Sequence, residues 1–201
     1  MKNILRICMI FAVVAFCATN VWASSSQTVN VNATVPTMTG GLTVNVSKVT
    51  GDVWTAATSV SFGTLVWHPE NGTDGKPLNI FLPDSYYAID VGVVDNSGTA
   101  WTVTHTRTFL ANGGNNLNNK VNVSFNKQTS STVGTELQKV SYGNSNSIAY
   151  TKSQLAGGWL RIYYGVGTGD PAKPDAPGVT PIGLDTPAGT YTGSVTITLT
   201  P

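Results

Sequence analysis

The sequence is poor in charge. Lys, Arg, Asp and Glu make up 10% of its 201 residues, against about 25% in an average soluble protein. It has two histidines, His68 and His105, and two cysteines, Cys8 and Cys17, both near the N-terminus. No apolar run is long enough for a membrane-spanning helix, and no segment carries a convincing helical period. Each shortage excludes something. Sparse, balanced charge leaves no electrostatic footprint for nucleic acid or an anionic membrane. Two histidines far apart in the chain make a poor zinc site. A chain that is 41% apolar is not a disordered one, so its polar surface must come from Thr, Ser and Asn.

The N-terminus reads as a secretory signal. Lys2 and Arg6 supply the positive start, residues 7–16 an apolar run of ten, and Val21-Trp22-Ala23 the small residues before a cut after Ala23. Two alternatives stand beside it. One is an uncleaved anchor. The other is lipidation at Cys17, for which the preceding Phe16 is too large. Cleavage would remove Lys2 and Arg6, taking the formal charge from +1 to −1, and would also remove both cysteines. The expected organisation is a signal peptide at 1–23 and one domain at 24–201. That domain has no disulfide, no thiolate metal ligand and no cysteine nucleophile. Its expected place is outside the cell, at the cell surface or in a periplasm.

The remaining sequence alternates in steps of two between turn formers, which predicts antiparallel strands. Residues 27–35 set Val29, Val31, Ala33 and Val35 on one face before Pro36. Further strands are expected from Leu42, around Val60 to Leu65, from Tyr87 to Val93, from Trp101 to His105 and from Val121 to Phe125. The Asp95-Asn96-Ser97-Gly98 turn suggests that the fourth and fifth of these six strands form a hairpin. Residues 127–147 read as loop with one short strand near 137–142, and 148–155 allow one helical turn. Residues 158–166 place Leu160, Ile162 and Tyr164 opposite Trp159, Arg161 and Tyr163. Five prolines between 171 and 187 forbid a central strand there. A last strand, 189–200, turns Tyr191, Val195, Ile197 and Leu199 inward, with a bulge expected at Gly193. The predicted fold is all-β: an antiparallel immunoglobulin-like or Greek-key sandwich of about seven to nine strands.

Three stretches carry a resemblance. Val60-Ser61-Phe62-Gly63 resembles a step found in spore-coat-U-type secreted pilin domains and in WxL-type surface domains. The stretch Val94-Asp95-Asn96-Ser97-Gly98-Thr99-Ala100-Trp101-Thr102-Val103 resembles the WxL-type turn and Trp-led strand. The ending from Gly189-Thr190-Tyr191 to Leu199-Thr200 resembles the last strand of both groups and of chaperone–usher pilins. The departures are a missing disulfide and Gly158-Trp159-Leu160 in place of Trp-any-Leu. The resemblance implies a surface-exposed domain that assembles with other copies or related subunits, or binds cell-wall polysaccharide. It assigns no binding residue.

Candidate sites follow from residue chemistry. A hydrolytic triad needs Ser, His and Asp together, and paired carboxylates could serve glycoside hydrolysis. Nearly all the acids, however, sit in turn signals where they cap their own backbone. Glu70, Asn71 and Asp74 share one loop, and Asp170, Asp175 and Asp185 another, without the spacing of a calcium loop. No catalytic residue, metal or cofactor is therefore assigned, and the expectation is a non-enzymatic protein. Aromatic side chains can stack on sugars. Adjacent strand residues face opposite ways, so Tyr86/Tyr87 and Tyr163/Tyr164 must each put one ring outward. Trp67, Tyr86, Trp159 and Tyr163 are the candidates for carbohydrate contact, ordinary surface packing being the bland alternative. Val29, Val31, Ala33 and Val35 are the candidates for strand exchange with a neighbour. The alternative there is an ordinary strand of the same domain.

Overall fold

A computed structural model describes residues 41–76, 78–94, 100–143 and 147–200, together with the backbone of 27–34. The signal-peptide segment, Val35, and the turn at 95–98 lie outside the described residues. The strands are β1 (Gln27–Thr34), β2 (Leu42–Thr50), β3 (Val53–Ala57), β4 (Val60–Thr64), β5 (Val66–His68), β6 (Ile80–Leu82), β7 (Tyr86–Val93) and β8 (Thr102–Arg107). They continue as β9 (Ala111–Asn112), β10 (Asn115–Asn116), β11 (Val121–Gln128), β12 (Gly134–Ser141), β13 (Ser147–Thr151), β14 (Trp159–Val166) and β15 (Gly189–Thr200). One helical turn, α1 (Lys152–Leu155), follows β13, where the Thr151 amide donates to Gln154 Oε1 at 2.8 Å.

These strands form the expected all-β sandwich. One sheet runs β12-β11-β14-β7-β2-β3, antiparallel throughout. The other runs β10-β9-β15-β1-β4, with β8 pairing both β15 and β13. β5 and β6 make a small third sheet. Ile89, Val123, Phe125, Ile162 and Tyr164 of the first sheet and Val103, Val195 and Ile197 of the second are buried in one core. Each such side chain contributes roughly 1.5–3 kcal/mol by leaving water. Aromatic contacts bridge the layers: the His105 ring meets Phe125 edge-on at 5.1 Å, and Phe62 meets Tyr87 at 5.6 Å.

Alternation placed most strands correctly. β15 spans the predicted range, with Tyr191, Val195, Ile197 and Leu199 buried. Three expectations need correction, and one strand carried no signal. β7 and β8 are not a hairpin: β7 lies between β2 and β14 in one sheet, and β8 beside β15 in the other. A turn signal fixes a change of direction and leaves the sheet of the next strand open. Gly193 is not itself the bulge: the register of β15 runs unbroken past it against β1, and on the other edge the extra residue lies within 108–110, between the Thr192–Ala111 and Val195–Arg107 pairs. It occupies an inward position of the 191–199 alternation, where a Cβ would lie 3.0 Å from the Phe109 carbonyl oxygen and 3.2 Å from the Tyr142 hydroxyl. Residues 127–147 hold the end of β11, all of β12 and the start of β13, because ladder pairing organises a stretch with few apolar residues. β3 went unrecognised: it has no clean alternation, and Gly51 at φ 58° closes a two-residue turn from β2.

The proline-rich segment 167–188 carries no strand, as expected, and is well anchored. Ile182 is fully buried, its carbonyl accepts from the Phe81 amide at 2.8 Å, and Lys120 Nζ donates to the Pro181 carbonyl at 2.9 Å. Asp175 accepts from the amides of Thr168 and Gly169 at 3.0 and 2.8 Å. The segment therefore forms a fixed rim beside the first sheet.

Candidate functional site

Two places on this frame hold the residues that the sequence singles out. The first is the seat of β1. β1, the first described strand, lies between β15 and β4. It runs antiparallel to β4 and parallel to β15, from Gln27 opposite Gly189 to Thr34 opposite Thr196. This is the one parallel pairing among the described strands. Val29, Val31 and Ala33 are registered beside Tyr191, Gly193 and Val195, the core-facing positions of β15. On its other edge β15 pairs β8 only from Val195 onward and β9 at Thr192. Its first half therefore depends mainly on β1 for ladder hydrogen bonds.

The second place is the outer face of the six-stranded sheet. Arg161 of β14 points outward yet is only 5% exposed. Asp90, opposite it on β7, grips the guanidinium with both oxygens, accepting from Nε at 2.6 Å and from Nη2 at 2.8 Å. Nη1 donates to the Ser131 carbonyl at 2.9 Å. Such a two-pronged pair is planar and directional. The hydrogen bonds to Asp90 hold the Arg161 guanidinium protonated above its already high ordinary pKa. Three aromatic rings surround the cation. Trp54 lies 4.6 Å from its carbon, and Trp159 and Tyr163 each lie 6.0 Å away. Trp159 Nε1 donates to Asp90 as well, at 3.1 Å. Ser47 and Ala88, small residues paired on β2 and β7, leave room for the Trp54 indole to reach across from β3. Tyr86 continues the aromatic surface, its ring 6.0 Å from that of Tyr163.

Of the four aromatic candidates, Tyr86, Trp159 and Tyr163 therefore meet on one face. Tyr87 and Tyr164 turn into the core, as alternation requires. Trp67 is elsewhere, on β5 and packed on Phe81 at 4.9 Å. Trp54, Arg161 and Asp90 complete the cluster. The strand pattern Trp159-any-Arg161-any-Tyr163 signals the first half of it, whereas nothing local marks Asp90, 71 residues away from Arg161.

The titratable candidates are dispersed. His68, the last residue of β5, pairs with the exposed Glu70 just beyond it. His105 is fully buried, with Nε2 bonded to the Tyr164 hydroxyl. Burial first, and then the charge of Arg107, hold its pKa down at about 3. Asp74, Asp170 and Asp175 accept from nearby backbone amides, so they act as turn caps. Among the described residues no three of His, Cys, Asp and Glu gather as metal ligands, and no helix is long and apolar enough to cross a membrane.

Fold and sites together define an all-β sandwich with its first described strand inside one sheet and an aromatic–arginine cluster on the other. No family model, curated protein or solved structure matches the chain.

Proposed function

We propose that this protein is an exported, non-enzymatic structural or adhesive subunit of a cell surface, pilin-like or coat-like, that joins other copies through β1. The observation that carries the reading is the position of β1: the first described strand, seated between two others inside a sheet. A central strand is normally locked in by connections at both ends. With the expected cleavage after Ala23, β1 is joined to the remainder of the domain only through residues 35–41, so it can withdraw without unthreading another element. Withdrawal opens β15 on one side and β4 on the other. The identical strand of a second copy fits that opening with the same register, because it offers the same residues. The contact is head-to-tail, and repetition of such a contact builds a filament or ring. The signal-like N-terminus, the scarcity of charge and the resemblance of the 189–200 strand to pilin endings point the same way.

The test uses purified protein spanning 24–201. Electron microscopy and sedimentation are expected to find concentration-dependent ladders or fibres, and excess synthetic peptide of sequence 27–35 is expected to shorten them by occupying the opening. A strictly monomeric protein at all concentrations, before and after refolding, contradicts the reading.

A further inference from the structure

Beside the aromatic cluster, a groove of about 730 Å³ crosses the outer face of the six-stranded sheet. Tyr86 and Tyr163 form one wall. The opposite wall is β12 with the anchored rim at 168–175, and the floor is a polar column on β11 at Asn122, Ser124 and Asn126. Alternation sets the three floor residues on one face, about 7 Å apart at each step. Glu136 Oε2 accepts from Ser124 Oγ at 2.9 Å, and Asn126 Nδ2 donates to the same hydroxyl at 2.9 Å. Those bonds do not use Glu136 Oε1 or the Asn126 carbonyl oxygen.

The charges lining the groove nearly cancel and are largely engaged. Asp84 lies 3.3 Å from Lys48. Asp175 is held by backbone amides and by Asn122 Nδ2 at 2.7 Å. Lys139 Nζ donates to the Pro174 carbonyl at 2.6 Å. A polyanion finds no field here, and neither does a polycation. What the groove offers is an exposed tyrosine face beside a file of neutral donors and acceptors, with one carboxylate. Tyr86 is 38% exposed, and Tyr163 beside it is half-buried. A pyranose has the complementary surface: an apolar C–H face for the ring, and equatorial hydroxyls, each both donor and acceptor, for amide, hydroxyl and carboxylate oxygens. The repeat of the floor is of the same order as one sugar unit.

We propose that this groove binds a neutral polysaccharide chain, with Tyr86 and Tyr163 stacking a sugar ring and Ser124, Asn126 and Glu136 receiving its hydroxyls. The site does not depend on strand exchange and faces away from β1.

Affinity gel electrophoresis of the purified 24–201 protein tests it. The probes are four neutral polymers (mixed-linkage β-glucan, arabinoxylan, glucomannan and soluble starch) and one acidic polymer, polygalacturonate. Retardation is expected in at least one neutral polymer and not in polygalacturonate. Tyr86→Ala and Asn126→Ala should each weaken it by roughly tenfold. Both changes lie at the surface, and an unchanged thermal midpoint shows that the fold is kept. Trp67→Ala, outside the groove, should bind as the parent does. Free migration in all four neutral polymers overturns the proposal. So does retardation confined to polygalacturonate, or retardation that neither groove variant weakens.

Discussion

At the scale of single residues, two buried polar side chains set the energetics. Arg161 is held under aromatic cover because Asp90 supplies a matched carboxylate. Removing one partner of such a pair leaves a charge in a place made for two. Asp90→Ala is expected to lower stability by about 3 kcal/mol, read as a fall in the urea midpoint. His105 acts through protons. Its folded pKa of about 3 lies below the ordinary 6.5, so the unfolded chain takes up a proton that the folded one refuses. The stability tied to neutral His105 is complete above pH 6.5 and drains away as pH falls toward 3. Between pH 7 and pH 5 the loss should be about 2 kcal/mol. The pH dependence of the urea midpoint checks this, and His105→Phe should flatten the slope in that window even if the variant is less stable overall.

At the scale of elements, strict alternation was legible and partnership was not. β14 and β15 announce their inward and outward faces residue by residue, and the structure keeps them. The sequence says nothing about which sheet a strand joins, and so β7 and β8 looked like one hairpin. β12 was obscured because it is a polar edge strand, stabilised by pairing with β11 rather than by its own apolar face. The aromatic face was half legible for the same reason: Trp159 and Tyr163 advertise an outward stripe, but Asp90 and Trp54 arrive only through sheet order. Glycines show the same dependence on distant neighbours. Gly158 lies just before β14, where a Cβ would stand 2.1 Å from the Gln128 carbonyl oxygen on β11. Gly158→Ala must therefore push the two strands apart, at a cost of roughly 1–3 kcal/mol. A melting curve would register that cost, and an unchanged midpoint would show that the two strands can separate freely there.

At the scale of the whole molecule, the proposed reading divides the work between two faces. In it the sheet holding β1 joins copies, and the outer face of its partner sheet stays free to hold a ligand along the resulting array. Scarce charge suits close lateral approach of such copies, since little repulsion opposes it. With both cysteines confined to positions 8 and 17, the 24–201 protein is also a clean background for cross-linking. Asn30 of β1 is registered with Thr192 of β15, so cysteines at those two positions report where β1 resides. The decisive measurement mixes two single-cysteine proteins, Asn30→Cys and Thr192→Cys, refolds them together under mild oxidation and resolves them on a non-reducing gel. Exchange of β1 predicts a mixed covalent dimer in excess of either homodimer. Monomers alone, or dimers with no preference for the mixed pair, would mean that β1 never leaves its own sheet.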